Sequence, residues 1–469
     1  MNEPTHWQQL QAGLDGVVAL PGTQAYERLR RPGVAGLTEP HPQAVARCAT
    51  AADVAQVVAF ARRHELSLAP RSGGHCFAQR STAGDVVVDV GPMHAVSYAG
   101  GLVTVGAGTR LGVLYEALAP AGVTVPAGCG PDVGIAGLTL GGGLGILGRR
   151  YGLTCDRLRA ASVVLADGTY VTCDADSYAD LFWALRGAGG GQFGVVTSLT
   201  FEPVPAPAMT AYHLTWPADA APAVLGGWQS WAPAAPDDLA ASLLLTVPAA
   251  VEEPLAVHVF GALCGGDRQV AADLLAALTA AVGVAPATAT YRDAGYRETK
   301  SHLGQLGERI GVAAHADGAR PVATSKSEFF TDAVPPATIA TLVEHLVQAR
   351  VPGQARELDC TPWAGAYNRV ATDATAFAHR DAHFLVKHTV VTDAHSSAPA
   401  RSAATRWLDQ SWAIVHPHGA GGGYPNFPDP ALADAPAAYH GTNHAQLTRV
   451  KAAYDPTELF RFPQSIRPS

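Results

Sequence analysis

Arg71-Ser72-Gly73-Gly74-His75 is the most informative stretch of the chain, together with a glycine-rich block from Gly134 to Asp156 in the same third of the sequence. A Gly-Gly turn exposes successive backbone N–H groups, and such a concavity binds phosphate or diphosphate groups well. A histidine directly after the turn lies beside whatever the phosphate groups carry. Taken alone, the pentapeptide also fits an ordinary loop, because glycine turns are frequent.

Strands and helices are expected to alternate on both sides of this turn. Thr50, followed at the third position by Asp53, predicts the capped start of a helix. Thr109 is expected to cap a second helix that reaches about Ala119. Asp167-Gly168 predicts the turn of a hairpin. Strands are predicted at 66–70, 86–90, 102–107, 123–125 and 195–201.

The second glycine block contains a formal dinucleotide fingerprint, Gly143-x-Gly145-x-x-Gly148, with Asp167 about 20 residues further on. The fingerprint should follow the first strand of a βαβ unit, but here it follows a loop, and Gly152 interrupts the next helix. A nicotinamide-binding site and a purely structural turn both stay open. With 187–194 as a third glycine-rich loop, close backbone approach to one large, flat, phosphate-bearing ligand is favoured.

The bulk composition indicates a large globular protein. Its 469 residues are too many for one core and predict two or three domains. Apolar residues make up 48% of the chain and charged residues 15%, which is typical of a large buried core. The formal net charge is −8, which argues against a nucleic-acid or anionic-membrane surface. The lysines are Lys300, Lys326, Lys387 and Lys451.

The termini and cysteines favour a cytoplasmic enzyme. MNEPTHWQQL lacks the layout of a signal peptide, and no run of 18 apolar residues predicts a membrane span. The seven cysteines form no CxxC pair and fit reduced thiols. His440 and His444 have metal-ligand spacing on a helix, with His416 and His418 nearby, but no carboxylate completes a set. No metal is expected.

The composition shifts at Pro203, Pro205 and Pro207, which predicts a domain boundary. Beyond it, strand patterns such as 256–261 and 384–391 alternate with helical patterns. The helical patterns include 270–282 and 336–348. This mixture predicts a second domain made of a sheet and helices.

Four ordered motifs carry a resemblance to a known family. They are RSGGHCFAQRS, PAGCGPDVGIAGLTLGGGLGILGRRYGLTCD, DLFWALRGAGGGQFGVVTS, and the tail from NFPDP to FRFPQSI. In these the chain resembles the berberine-bridge-enzyme-like FAD-linked oxidases of the vanillyl-alcohol-oxidase superfamily. The resemblance runs from about residue 35 to 466, and it is dense at both ends and weak in the middle.

The resemblance implies an α+β fold. A bilobal FAD-binding domain of the PCMH type would be joined to a substrate domain with a large antiparallel sheet flanked by helices. The implied divisions are an N-terminal segment at 1–34, the FAD domain at 35–205 and the substrate domain at 206–410. The segment 411–469 would complete the FAD domain.

The resemblance also implies FAD bonded through the His75 ring to the flavin 8α-methyl group. Many members add a second bond through a cysteine before a proline. Here Gly130 fills that place and Cys129 comes one residue early, so its side chain turns the other way and a single link is expected. Val133 matches a position that gates O2 access. The expected cofactor-binding residues are Arg71, Ser72, Gly73, Gly74, His75, Cys129, Gly130, Val133, Gly134, Gly137, Gly141, Gly142, Gly145, Gly194, Val195, Tyr424 and Asn426.

Tyr424 matches the segment where many relatives place a catalytic tyrosine. A tyrosine has a pKa near 10 and needs a nearby positive charge or hydrogen-bond donor to act as a base. A packed aromatic at a glycine turn is the alternative. Tyr367, also a candidate for catalysis, and Asn368 are expected to line the substrate face. Asn426 and Asn443 are expected to position other groups.

The resulting hypothesis is an FAD-dependent oxidase. It would remove a hydride from an alcohol, amine or activated C–H of a small organic substrate and pass the electrons to O2, giving H2O2. A flavin dehydrogenase, an oxidative cyclising enzyme of natural-product tailoring, a nicotinamide-dependent reductase and a non-catalytic binding protein are alternatives. Trp228, Trp231 and Trp363 slightly favour an aromatic or polycyclic substrate, although tryptophan also stacks on sugars. No oligomeric state is indicated.

Overall fold

The computed structural model describes residues 5–34, 36, 39–311 and 321–469, which fold around separate sheets. The helices are α1 His6–Ala12, α2 Gln24–Leu29, α3 Ala51–Arg63, α4 Leu111–Leu118, α5 Ile135–Leu140, α6 Gly148–Tyr151, α7 Ala179–Ala184, α8 Ala221–Ala234, α9 Arg268–Val282, α10 Tyr296–Ile310, α11 Pro336–Val347, α12 Ala398–Val415, α13 Ala435–His440 and α14 His444–Tyr454.

The first sheet leads the chain into the Arg71–His75 turn. Its order is β1-β2-β4-β3, and β2, β4 and β3 run parallel because α3 crosses between β2 and β3. Thr50 and Asp53 cap each other's backbone at the start of α3, as predicted. The strands are β1 Val17–Ala19, β2 Ala44–Arg47, β3 Leu68–Arg71 and β4 Val86–Asp89.

The second sheet is antiparallel and has the order β5-β6-β10-β8-β9, with a separate pair formed by β7 and β11. The predicted hairpin at Asp167-Gly168 joins β8 and β9, and Gly168 takes a φ of +89° there. The strands are β5 Val96–Ala99, β6 Leu102–Gly106, β7 Val123–Thr124, β8 Leu158–Leu165, β9 Tyr170–Cys173, β10 Gly194–Phe201 and β11 Val204–Pro205.

The prediction for Thr109 was wrong. Arg110 occupies the N-cap position of α4, and the Thr109 hydroxyl is buried without a hydrogen-bond partner among the described residues. The Thr109 carbonyl instead accepts the Ile135 N–H at 3.0 Å. That backbone bond ties the start of α4 to the second glycine block and turns Thr109 away from the helix.

The third sheet has seven antiparallel strands in the order β15-β12-β14-β13-β17-β18-β16. One face packs against α8, α9, α11 and α12 in a core that includes Trp228 and Leu358. The other face, through Leu244 and Ala262, joins the core of the first two sheets. The strands are β12 Ala208–Trp216, β13 Leu239–Val247, β14 Ala256–Cys264, β15 Thr288–Gly295, β16 Pro321–Phe330, β17 Ala355–Pro362 and β18 Phe384–Asp393.

The fold matches the α+β architecture implied by the resemblance, and we propose one change to the domain limits. The expected boundary between residues 410 and 411 falls inside α12, which packs on β16 and β18. A helix that belongs to one packing layer belongs to one domain. We therefore place the end of the substrate domain after α12 and keep 35–205 and the remaining tail as the FAD domain.

The C-terminal tail returns to the first sheet. Leu68 of β3 donates its N–H to the Leu459 carbonyl at 2.9 Å. Lys451 and Asp455, both fully buried, form an ion pair of 2.6 Å. The Lys451 ammonium also donates to the carbonyls of Gln192 and Phe460 at 2.6 and 2.8 Å. This buried cation joins the tail to the third glycine loop.

Replacing Lys451 with methionine is expected to lower the free energy of unfolding by about 3–5 kcal/mol, because the Asp455 carboxylate then stays buried without a counter-charge. Thermal and urea unfolding measure the loss. The double variant Lys451→Met/Asp455→Asn is the control and should regain part of the stability, since it removes the uncompensated charge. Equal stability of Lys451→Met and the parent chain would contradict the assignment.

Candidate active site

A deep cleft opens where the Arg71–His75 turn, the second glycine block and the C-terminal tail meet. It holds about 1490 Å³ of space free of protein atoms, part of it open to solvent. Most of the predicted cofactor residues line it: Arg71, Ser72, Gly73, Gly74, His75, Val133, Gly134, Gly137, Gly194, Val195, Tyr424 and Asn426. Residues far apart in sequence thus share one large concave site, the usual setting for a cofactor.

The two glycine motifs cross at backbone distance. A Cβ atom at Gly73 would overlap the Gly134 backbone, and a Cβ at Gly134 would overlap the Gly73 backbone and the Ser72 hydroxyl. Gly74 takes a φ of +69°, which favours glycine. The Ser72 hydroxyl fixes the turn by donating to the Ala107 carbonyl at 2.6 Å. Glycine is therefore required here by close packing as well as by access to a ligand.

The cleft fits an anionic cofactor. Arg71 donates one bond of 2.8 Å to Asp89, while its Nη1 is buried and has no partner among the described residues. The Ser81 hydroxyl at the cleft is likewise buried and unpartnered in the described part of the chain. None of the described residues lining the cleft is an aspartate or a glutamate. Unused buried donors, at a cleft whose described lining contains no acidic residue, suit a diphosphate.

His75 lies at the cleft with its side chain accessible from the open space. Desolvation by the surrounding cleft walls lowers the pKa of the imidazole below its usual value. Asp132 opposes the shift, while the charges of Arg110 and Lys387 add to it. A lowered pKa keeps the ring neutral at pH 7, with a lone pair available as a nucleophile.

Tyr424 lies on the tail side of the cleft and is almost fully buried. Its hydroxyl oxygen accepts the Gly143 N–H at 2.9 Å and the Asn426 Nδ2 at 3.2 Å. Burial raises the pKa of Tyr424 to about 12, and these two hydrogen bonds oppose the shift. The site thus supplies the hydrogen-bond donors that a basic tyrosine needs, although burial outweighs them.

Comparison with known proteins agrees with this geometry. Residues 42–174 match the family described as "FAD binding domain", and residues 423–467 match "Berberine and berberine like". The chain is 31% identical to the uncharacterised FAD-linked oxidoreductase YgaK of Bacillus subtilis over 92% of both chains. The chain belongs to the berberine-bridge-enzyme-like FAD-linked oxidoreductases. Its cofactor is FAD.

Two further relatives support the assignment to this family. The chitooligosaccharide oxidase of Gibberella zeae is 30% identical, with 91% of this chain and 87% of that protein covered. The solved structure of BBE-like 1 from Physcomitrella patens has a TM-score of 0.87 at 27% identity and covers 99% of each chain. The fold and the oxidoreductase class are therefore shared along the whole chain.

Three glycines expected to bind this FAD are packed against other chain segments on the side where a Cβ would stand, and their role at FAD stays a prediction. Cleft-lining residues do not include Gly141, Gly142 or Gly145. A Cβ at Gly141 would overlap the Asn426 amide, and one at Gly145 would overlap the Ala127 carbonyl. A Cβ at Gly142 would come within 3.0 Å of the Phe377 ring. These positions exclude side chains because neighbouring chain segments pack against them.

The dinucleotide fingerprint has the same explanation. A Cβ at Gly143 would overlap Leu138 and Thr154, and one at Gly148 would overlap the Tyr367 hydroxyl. Gly148 opens α6, a helix of one turn that ends before Gly152. The spacing is thus explained by protein packing, which favours the structural-turn alternative for this motif.

Cys129 and Gly130 do not line the cleft. Cys129 is a half-buried free thiol packed against the core of the first two sheets. The neighbouring Gly128 does reach the cleft, and its carbonyl accepts the Tyr115 hydroxyl at 2.7 Å. This placement supports the expected single flavin link, which stays a prediction.

Tyr367 does not line the cleft either. Its fully buried hydroxyl donates to the Gly145 carbonyl at 3.2 Å, and its ring stacks on Trp363 at 4.5 Å between centroids. Burial raises the pKa of Tyr367. Asn368 donates to the Ala382 carbonyl, and Asn443 donates to the carbonyls of Thr372 and Thr375. We propose structural roles for all three residues.

The tryptophans lie in cores and do not favour an aromatic substrate. Trp228 is fully buried behind the large sheet, where its indole N–H donates to the Ala241 carbonyl at 2.8 Å. Trp231 packs against the same core. Trp363 is fully buried next to Tyr367. Their apolar area stabilises the fold, so these three side chains give no support to an aromatic substrate.

The sequence prediction missed part of the cleft wall. Gly189, Gly190 and Gly191 line the cleft, although only their loop was singled out. The remaining lining residues that it missed include Cys76, Phe77, Arg80, Ser81, Phe427 and Phe462. Cys76, Phe77, Arg80 and Ser81 lie within six positions of His75, so their closeness in sequence could have identified them. Phe462 could not, because only the folded tail brings it there.

The described residues contain neither a cluster that could hold a metal ion nor a helix that could span a membrane. No group of three or more histidine, cysteine, aspartate or glutamate side chains is placed there to hold a metal ion. The rings of His440 and His444 stack at 6.0 Å between centroids, and burial lowers the pKa of His440 to about 3. No helix in the described ranges is long and apolar enough to cross a membrane.

Proposed function

We propose that this family member is an oxidase that removes a hydride from an alcohol, amine or activated C–H of a small organic substrate. The observation that carries the proposal is that one cleft presents both the neutral imidazole of His75 and the hydroxyl of Tyr424. When bound there, FAD accepts the hydride, and O2 takes the electrons to give H2O2. The protein's contribution is binding, orientation and proton transfer.

His75 provides the covalent anchor in this proposal. Its ring nitrogen would bond to the carbon of the flavin 8α-methyl group, which would lose a hydrogen while the two released electrons pass through the flavin to O2. A bond of this kind would raise the reduction potential. The turn at residues 71–74 holds the diphosphate with the backbone N–H groups of its Gly-Gly pair. Val133 at the cleft wall leaves room for O2 to approach. Each of these roles comes from a match to the family motif and from the position of the residue in the cleft.

Tyr424 provides the base. An alcohol oxidised to a carbonyl loses a hydride from carbon and a proton from oxygen, and the ionised Tyr424 oxygen takes that proton. The donors Gly143 and Asn426 stabilise the ionised form. Asn426 is itself fixed by donating to the Leu138 carbonyl at 2.9 Å. Asn426 therefore positions the base and does not exchange protons with the substrate.

The face of the large sheet opposite α8 and α12 favours a hydroxyl-rich or amino-bearing substrate. Lys387 lies 3.1 Å from Asp359 and 3.6 Å from Glu357. These side chains alternate with core residues such as Leu358, so they point away from the helices. The Lys387 ammonium lies 4.9 Å from the centroid of Phe427, a cleft residue. Charged donors and acceptors next to the cleft suit polar substituents.

Anaerobic mixing with a panel of sugars, amines and benzylic alcohols tests the proposal. Bleaching of the flavin band by one compound, followed by recovery of the colour and stoichiometric H2O2 on admission of O2, is the expected result. Recovery with a dye but not with O2 would identify a dehydrogenase. A product with a new ring would identify a cyclising enzyme. Retained FAD that no compound reduces would indicate a binding protein.

A further inference from the structure

Arg80 is a cation of the cleft without an acidic partner. Its Nη2 donates to the Gln464 side-chain oxygen at 2.7 Å. The guanidinium carbon lies 5.4 Å from the Tyr439 ring centroid and 5.2 Å from that of Phe462. Among the described residues, no aspartate or glutamate oxygen lies within 4.0 Å of its nitrogens. Within the described ranges its charge is stabilised by two aromatic rings, the Gln464 amide and a hydrogen bond to the Tyr439 hydroxyl, none of which is anionic.

The C-terminal tail fixes the direction of this side chain. Gln464 donates in turn to the Asp429 and Leu432 carbonyls at 2.9 and 3.2 Å. The Asp429 carboxylate pairs with Lys326 of β16 at 2.6 Å. A chain of polar contacts therefore runs from the large sheet to Arg80. Because its partner Gln464 is itself held by two hydrogen bonds, Arg80 is preorganised, and less entropy is lost when it binds a ligand.

Neighbouring donors point to an oxyanion. Ser81, the next residue, has a buried hydroxyl with no partner in the described part of the chain, and Arg71 has an equally unpartnered Nη1. The turn at Arg80–Thr82 packs against β3, which ends at Arg71. A half-buried cation has lost part of its hydration, and a bound anion stabilises its charge by replacing the lost water contacts.

We propose that Arg80, together with Ser81 and Arg71, binds the diphosphate of FAD, and that Gln464 acts as the positioning residue for Arg80. The proposal rests on FAD binding in this cleft and is independent of the oxidase reaction. FAD retention and docking of the C-terminal tail are then coupled, because the tail holds the cation that the cofactor needs. Loss of the cofactor then loosens the docking of the C-terminal tail, and loss of the contact between Gln464 and Arg80 weakens the binding of the cofactor.

Titration calorimetry with the full-length chain tests this assignment. A His75→Ala background makes flavin binding reversible, and FAD, ADP and riboflavin serve as the probes. Arg80→Gln is expected to weaken binding of FAD and ADP by about 10–100-fold, as for a charge-assisted hydrogen bond to phosphate, and to leave riboflavin unchanged. Gln464→Ala should weaken the same two ligands by a smaller factor.

Arg159→Gln is the matched control, since Arg159 is an exposed arginine of the same domain outside the cleft lining. It should leave all three affinities unchanged. Weaker riboflavin binding with unchanged ADP binding would place Arg80 at the flavin ring and overturn the assignment. Unchanged binding of every probe would overturn it as well. Should Arg80→Gln fail to fold, Arg80→Lys keeps the charge without the planar fork and is expected to show a smaller loss of the same pattern.

Discussion

Replacement of His75 by alanine is expected to abolish covalent flavin attachment. After acid precipitation the yellow colour should move from the pellet to the supernatant, and the peptide bearing residue 75 should lose the mass of FAD. The lowered pKa of His75 keeps the ring neutral at pH 7, so the nucleophile is available without prior deprotonation. No second residue in the lining is expected to replace it.

The same substitution should slow anaerobic flavin reduction by substrate. The proposed histidyl bond would withdraw electron density from the flavin, so its loss should lower the reduction potential. We expect a decrease of about tenfold in the reduction rate, which corresponds to about 1.4 kcal/mol of activation free energy. Stopped-flow absorbance at the flavin band measures it. An unchanged rate would show that the bond serves retention alone.

Cys129→Ser is the control for both measurements. Cys129 packs against the core and does not line the cleft, so pellet colour and reduction rate should equal those of the parent chain. Loss of colour from the pellet in this variant, or a flavinylated peptide containing Cys129, would contradict the single-link prediction. The two substitutions therefore separate a covalent bond from ordinary packing.

Local signals predicted the first half of the site well. The turn at 71–75 is short, and its Gly-Gly pair and histidine act through their own backbone and ring. The capped start of α3 and the hairpin at Asp167-Gly168 are equally local, and both were predicted correctly. In such cases the residues that determine the structure lie within a few positions of each other, so the sequence contains the whole cause.

Glycines of the second block show the limit of this reasoning. Gly134 lines the cleft, but Gly141, Gly142 and Gly145 face protein, although all lie in one run. A glycine can leave room either for a ligand or for a neighbouring segment of the chain, and only the contacts in the folded protein show which of the two applies. Those partners are remote in sequence: Asn426 for Gly141 and Phe377 for Gly142. Sequence reasoning cannot separate the two without the contacts.

Arg80 shows the same limit for a cleft residue that the sequence prediction missed. Its hydrogen-bond partner Gln464 lies 384 residues away, and the rings beside it also come from the C-terminal segment. Tyr367 was a candidate for catalysis because of its motif, but packing turned its hydroxyl to Gly145. Long-range packing of the tail and the large sheet therefore assigns the roles that local pattern leaves open.

Tyr424→Phe is expected to lower kcat/KM by about 10²–10⁴-fold, the usual contribution of a general base. Burial raises the pKa of Tyr424 to about 12. Below that pH, the ionised fraction of its hydroxyl increases about tenfold with each unit by which the pH rises. Activity of the parent chain should therefore rise with pH across the neutral and alkaline range. The phenylalanine variant should lose this rise, which steady-state assays across pH will measure.

Tyr367→Phe is the matched control, because it removes a second buried tyrosine hydroxyl that also bonds the glycine block but lies outside the cleft. Each change leaves a backbone group without its partner and should lower the free energy of unfolding by about 1–3 kcal/mol. Only Tyr424→Phe should lose the pH dependence while keeping its FAD content. Equal activity loss in both variants would indicate that the Tyr424 hydroxyl orders the Gly143 loop and that another group takes the proton.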